Sequence, residues 1–591
     1  MAFQDFDQIS ERRRAERQRK FRKRVLIGVF SGLTLLVLIG AGVFVVVSRA
    51  PHDSQTGTGS TRTASHQPSP PPNSVSKTEK VVKLICNATD YKNKCETTLN
   101  QSIKNESGSA QARDFLKSAI SAAKEELHEA FKKTKSFKFD TKEEKEAFED
   151  CKVLMEDAIE ELEASVSSVG NNTTSSKISS KTPDLNSWLS AVISYQQTCV
   201  DGFPEGKLKS DIEKAFVPAK ELTSNSLALV SEVTSLLSTF QAKGESRRRL
   251  LDVDKDGLPA WIAKEDRRML KASDEKLTPN VTVAKDGSGD FRTINEALAA
   301  MPAKYQGRYV IYVKEGIYDE TVIVTKKMVN VTLFGDGSQK SVITGSKNFV
   351  DGVRTFQTAT FAALGDGFVG KAMGFRNTAG PQKHQAVAAR VQADRAIFVN
   401  CRFEGYQDTL YVQAHRQFYR SCVVTGTVDF IYGDAAAILQ NCNIMVRKPL
   451  ENQQNIVTAQ GRTDQRETTG IVLHSCRIMA DPTLEPVKTK FRSYLGRPWK
   501  EFSRTIVMES TIEDLIHSDG WLPWQGDFAL KTLYYGEFSN KGAGAKVDGR
   551  VTWPGYKKIN KEEASKFTVG SFLQGNWLNG TGVPVRYTLY V

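Results

Sequence analysis

From about residue 279 onward, short β-branched runs return at intervals of about 20 residues, and that recurrence constrains the fold more than any other feature. The runs include Arg308–Val313, Val329–Gly337, Arg395–Phe403, Gln417–Val424, Ala436–Val446 and Gly470–Met479, with Gly, Asn and Asp between them. A β-sandwich does not repeat in this way; stacked β-coils do. In such a stack, equivalent positions on successive coils lie about 4.8 Å apart. Cys401, Cys422 and Cys442 follow one another at that same interval, so they are expected to stack, and neighbours among them are disulfide candidates. Cys476 comes well past the next beat after Cys442, which requires an insertion in the period.

The same interval separates two acids. Asp408, in Gly405–Tyr411, and Asp429, in Gly426–Gly433, are spaced as Cys401 and Cys422 are. If one coil spans that interval, the two carboxylates are lateral neighbours. Two close carboxylates do not both ionise cheaply, so one pKa rises and the pair divides into an acid and a base or nucleophile. Spacing alone leaves a solvated pair of turn aspartates as the alternative.

The flanking motifs resemble plant pectin methylesterases. The resemblance covers roughly residues 279–590 and rests on ordered blocks: Gly380-Pro381 with Lys383–Ala388, Gly405–Tyr411, Gly426–Gly433, Leu495–Trp499 and Gly520–Trp524. It implies an all-β, right-handed parallel β-helix that hydrolyses methyl esters of homogalacturonan to methanol and pectate. It also implies roles at the matching positions. Asp429 is the expected nucleophile, and Asp408 the expected acid and then base. Gln385 and Gln407 are the expected oxyanion donors. Arg497 is expected to hold Asp429 ionised through a charge-assisted fork. Thr355, Tyr411, Tyr432, Trp499 and Trp524 are expected at the substrate, the aromatics as flat faces for sugar rings. The family commonly has Phe-Gly-Asn where this chain has Tyr432-Gly433-Asp434. Asp434 is therefore expected to bring negative charge near Asp429 and raise the working pH.

The first half of the chain reads differently. Residues 1–24 form a basic tail with nine Lys and Arg, and Val25–Val47 holds no charge along its whole length. As a helix that segment spans about 35 Å, enough for a hydrocarbon core of about 30 Å. A signal anchor with a cytosolic tail is expected, with a cleaved signal peptide as the competing reading. The remainder would enter the secretory pathway. Sequons begin at Asn87, Asn105, Asn171, Asn172, Asn280, Asn330 and Asn579, and all eight cysteines follow the apolar run. Residues 48–79 are a Ser/Thr/Pro-rich linker that cannot bury a core.

Residues 80–240 carry helical periodicity near 112–133, 142–168, 184–201 and 210–240, which predicts an all-α four-helix bundle. Cys86 and Cys95 suit a local staple, and Cys151 and Cys199 could tie two helices, although four cysteines allow three connectivities. Cys86 with Cys95, and Gln197–Phe203, resemble pectin methylesterase inhibitor domains. The resemblance implies a pro-region that silences the enzyme, with a folding aid as the alternative. Residues 241–278 link the two halves. They contain Arg247-Arg248-Arg249-Leu250-Leu251 and Arg267-Arg268-Met269-Leu270, either a solvated basic linker or sites for a subtilase-like processing protease, cut at Arg248, Arg249, Leu250 and Leu251. Asp252, Asp254, Asp256 and Gly257 imitate the start of a calcium loop, but Ala263 stands where the bidentate Glu belongs.

A net charge of +13 suits an anionic partner, and no nucleic-acid-binding signature accompanies it. The expected partners are methyl-esterified homogalacturonan, the processing protease and a separate inhibitor protein. The membrane enters only through the anchor, and the mature enzyme is expected in the extracellular cell wall. No cofactor is expected. The seven histidines lack metal-site spacing, and no Gly-x-Ser-x-Gly elbow occurs. The competing functions are a glycoside hydrolase on the same polymer, since paired aspartates on β-helices also support that chemistry, and a non-catalytic wall or inhibitor protein. Glutamines beside the aspartates suit an acyl oxyanion better than an oxocarbenium ion.

Overall fold

A computed structural model describes residues 77–103, 112–170, 175–241 and 278–591. The basic tail, Val25–Val47, the Ser/Thr/Pro-rich linker up to residue 76 and the processing sites at Arg248–Leu251 lie outside the described residues; the last three residues assigned to that linker, 77–79, already belong to a helix. Among the described residues no helix is long and apolar enough to cross a membrane.

The C-terminal half is a parallel β-helix. Its strands fall into three sheets of 11, 8 and 7 strands, and every neighbouring pair within a sheet is parallel. The seven turns from Tyr309 to Gly496 each contribute one strand to each sheet, and the coils at the two ends contribute to fewer. The 7-stranded sheet positions the site. Its strands are β1 (Val322–Val324), β2 (Phe361–Ala363), β3 (Ala389–Val391), β4 (Leu410–Val412), β5 (Ile431–Gly433), β6 (Asn455–Gln460) and β7 (Ser493–Gly496).

One corner repeats on six successive coils. Between the 11-stranded and the 8-stranded sheet, six coils turn through two residues, the first in the left-handed region: Ala372, Asn400, Ser421, Asn441, Ser475 and Glu509, with φ of 50–56°. Asn is the side chain that tolerates this conformation best. Each corner amide still donates to the carbonyl of the next coil, as from Asn400 to Arg420 at 3.0 Å and from Ser421 to Gln440 at 3.1 Å.

The second corner residue turns inward, and on four coils it is Cys401, Cys422, Cys442 or Cys476. These stack as expected, and Cys476 joins them despite its wider spacing because residues 447–454 and 461–469 loop out of its coil. The expectation that neighbours bond is not met: all four are free, buried thiols. Stacked side chains run side by side, and each thiol donates to a backbone carbonyl instead, Cys476 to Leu439 at 3.2 Å and Cys422 to Phe398 at 3.4 Å.

Parallel register also stacks the interior aromatics. Phe398 lies over Tyr419 at 5.1 Å, and Phe375 over Phe403 at 5.3 Å. The short helix Ile294–Ala299, capped by Thr293 and Glu296, buries Ile294, Ala297 and Leu298 at one end of this core.

The N-terminal half is helical, as its periodicity predicts: α1 (Lys77–Cys86), α2 (Lys92–Ile103), α3 (Ala112–Lys135), α4 (Lys142–Ser168), α5 (Ser175–Asp201) and α6 (Lys207–Gln241). α5 starts earlier than its apolar pattern and carries Pro183 inside it. The disulfides Cys86–Cys95 and Cys151–Cys199 form the two ties expected, the second joining α4 to α5.

Phe398 touches Phe368, Phe375, Phe403 and Tyr419, so it is the centre of the core stack. Phe398→Ala is expected to cost about 3–5 kcal/mol, read as a lowered denaturation midpoint.

Candidate active site

On the 7-stranded sheet, inward side chains such as Ala389, Val391, Leu410, Val412 and Ile431 join the main core. The alternate positions face outward, and register aligns them: Arg390 on β3, Tyr411 on β4, Tyr432 on β5 and Ala459 on β6. The segments entering β3, β4 and β5 carry the expected polar residues. Gln385 and Gln407 pair as neighbours in a parallel bridge. Asp408 and Asp429 occupy the entries to β4 and β5, both in left-handed conformation, with φ of 60° and 50°. Asp is among the few side chains that accept this geometry, and held strain of this kind is typical of functional positions.

The two acids are buried but sit in different electrostatic settings. Arg497, leaving β7, forks onto Asp429: Nε donates to Oδ1 at 2.8 Å and Nη2 to Oδ2 at 2.5 Å. Burial disfavours the guanidinium charge, yet the Asp429 charge and hydrogen bonds outweigh it and hold Arg497 above its ordinary value. Asp408 has no such fork. Burial first, and the Asp429 charge second, push its carboxyl well above the usual range, with Arg497 opposing.

The aromatics lie beside this pair, though not as a row of open faces. Tyr411 and Tyr432 stack on each other at 4.4 Å and 10°, and Trp499 meets Tyr432 edge-on at 5.9 Å. Trp499 fits because Gly461 lies beneath it; a Cβ there would come within 2.8 Å of the indole. Trp524 spreads over the Arg497 guanidinium at 4.3 Å and is 36% exposed. Thr355 opens a 3-10 turn, Thr355–Gln357, where its carbonyl accepts from the Thr358 hydroxyl at 2.7 Å. Asp434 follows β5 and is buried. Its Oδ1 accepts from Thr469 at 2.5 Å and Gln460 at 3.1 Å, and burial pushes its carboxyl up against the hydrogen bonds from Glu467, Thr469 and Gln460. The charges acting on Asp408 are those of Asp429 and Arg497, while Asp434 acts on Tyr411.

Arg390 was not anticipated. It stacks on Phe356 at 3.9 Å and donates to Gln413 at 2.9 Å. The signal was present: positions 390, 411 and 432 are each one coil apart.

The bundle lies on this same face. From α5, Thr198 reaches the Tyr411 hydroxyl at 3.5 Å, and Asp201 accepts from Lys500, next to Trp499, at 2.6 Å. From α4, Asp150 accepts from Gln357 and Asp157 from Gln392, both at 2.6 Å. His415 receives both helices: Tyr195 and Ser187 of α5 at 3.0 and 3.1 Å, and Glu161 of α4 at 3.5 Å.

Comparison with known proteins matches residues 280–576 to the pectinesterase family model and residues 80–229 to the plant invertase/pectin methylesterase inhibitor model. The chain is 52% identical to a putative pectinesterase/pectinesterase inhibitor 45 of Arabidopsis thaliana over the full length of both. It is 46% identical to pectinesterase 1 of Citrus sinensis, over 75% of this chain and 77% of that one. The solved structure of a pectin methylesterase from carrot matches with a TM-score of 0.53 and 52% identity, over 53% of this chain and 99% of that one.

An acid whose pKa is raised by folding keeps a proton that the unfolded chain gives up. Its burden on stability is absent below the ordinary aspartate value and complete above the raised one. Asp408→Asn is therefore expected to raise the denaturation midpoint at about pH 8 and to match the parent at about pH 4.

Proposed function

The chain belongs to the pectinesterase family and is a carboxylic ester hydrolase of pectin methyl esters, and we propose that it works through an acyl-enzyme on Asp429 with Asp408 carrying the proton. An Asp429 carboxylate oxygen adds to the ester carbonyl carbon of a galacturonate unit. The tetrahedral oxyanion forms beside the side-chain amides of Gln385 and Gln407. The C–O bond to the methoxy group breaks as Asp408 gives its proton to departing methanol. Asp408, now a carboxylate, takes a proton from water, and the hydroxide adds to the acyl carbon. Collapse breaks the bond from the acyl carbon to Asp429 and frees a galacturonic acid, which gives its proton to solvent; Asp429 is again a carboxylate and Asp408 again holds its proton.

The observation that carries this reading is the unequal footing of two buried carboxylates one coil apart. Asp429 is forked by Arg497, as suits a nucleophile, and Asp408 is pushed toward its protonated form, as suits an acid. Tyr411, Tyr432, Trp499, Trp524 and Thr355 would border the polymer.

The bundle is read as a pro-domain that keeps the site shut. Thr198 on Tyr411 and Asp201 on Lys500 support this, because both occupy the aromatic border. In the same reading Val25–Val47 anchors the precursor, a subtilase-like protease cuts at Arg248–Leu251, and the mature right-handed β-helix works in the cell wall, open to a separate inhibitor.

Protein cut in the linker and given methyl-esterified homogalacturonan is expected to release methanol without new reducing ends. Asp429→Ala should slow this on the order of 10⁴-fold, and Gln407→Ala by about 10²–10³. Reducing ends in place of methanol would assign the site to backbone cleavage. The uncut chain is expected to release methanol far more slowly than the cut one. Equal rates would leave the bundle a folding role alone.

A further inference from the structure

Four cations on the face beneath the bundle find their carboxylate neighbours only in the bundle, among the described residues. Lys326, just after β1, meets Glu160 at 2.9 Å and Asp157 and Glu161 at 3.4 Å. Arg354, entering β2, meets Asp150 at 2.6 Å. Arg390 on β3 is buried and feels the charges of Asp150 and Asp157. Lys500, after β7, meets Asp201 at 2.6 Å. Arg416 differs: it also binds Asp184 of α5, but Asp394 of its own domain already neutralises it, through bonds of 2.9 and 2.5 Å.

The four lie along the 7-stranded sheet from its first strand to its last, about 29 Å at the usual strand spacing. Lys326 and Lys500 follow the exits of β1 and β7, and Arg390 is the register neighbour of Tyr411 beside the catalytic pair. The carboxylates that meet it from α4, at 150, 157, 160 and 161, recur at helical spacing along one side of the helix. Taking away the bundle would leave a file of uncompensated cations on the sheet that carries the site. A methyl-esterified galacturonan offers that file no charge. Its de-esterified form offers one carboxylate per sugar, so electrostatic complementarity favours the product over the substrate.

We propose that the carboxylates of α4 and α5 stand in for those of de-esterified galacturonan, and that such a stretch competes with the bundle for Lys326, Arg354, Arg390 and Lys500. The proposal rests on the pectin-esterase reading and concerns the regulation of that site: product made nearby loosens the bundle and is held on the same cations after it leaves.

The test uses the full chain cut within residues 242–277, with a fluorophore on the bundle, at fixed ionic strength. The probes are galacturonate oligomers of one length, fully de-esterified or fully methyl-esterified, read by anisotropy with Asp429→Ala in place so that no turnover occurs. The de-esterified oligomer is expected to release the bundle at about tenfold lower concentration or less, several charge pairs acting together. In Lys326→Gln with Arg354→Gln the two oligomers should approach equal potency, while circular dichroism matches the parent. Equal potency in the parent, or discrimination unchanged in the double variant, would overturn the proposal. Failure of the esterase reading would show separately, as absence of methanol from the cut chain with Asp429 intact.

Discussion

Everything in the catalytic half depends on coils staying in register. Parallel hydrogen bonds lock each strand to the one a turn earlier, so residues one coil apart in sequence become neighbours in space. That single constraint stacks Phe398 on Tyr419 inside, and sets Tyr411 beside Tyr432 outside. It also brings Asp408 and Asp429 to adjacent coils. A slip of one residue on one coil would turn inward side chains outward and part the acids at once.

Given that scaffold, the site needs little else to separate its acids. Both are buried, and both accept a backbone conformation that most side chains avoid. Arg497 alone distinguishes them, because its two parallel hydrogen bonds fit one carboxylate and leave the other to the low-dielectric interior. The Trp524 ring over the guanidinium keeps that fork in place from the solvent side.

Legibility in the sequence followed the same physics. Where the period is intact, from residue 390 to 442, interval arithmetic finds the neighbours, including Asp408 with Asp429. Arg497 lies far along the chain from its partner, and two looped-out segments stand between them, so spacing could not pair them; only the Leu495–Trp499 motif pointed there. The cysteine stack was visible, but its chemistry was not, because period reports adjacency and says nothing of which way two sulfurs lean. The tyrosines were legible as neighbours one coil apart, while their stacking on each other depends on side-chain rotation that no spacing records. The docking of α4 and α5 had no local signature. Their acids look like any solvated helix side until the cations of another domain are placed opposite them.

The invariant two-residue corner carries a consequence for how this molecule can change over evolutionary time. Along the six coils from Val369 to Ile512 that edge carries no insertion, and added length emerges elsewhere, as at residues 447–454 and 461–469 on either side of β6. One edge keeps the beat while the opposite rim is free to vary. Such a chain can acquire new appetites, for another polymer pattern or another regulator, by rewriting its rim while its spine stays the same.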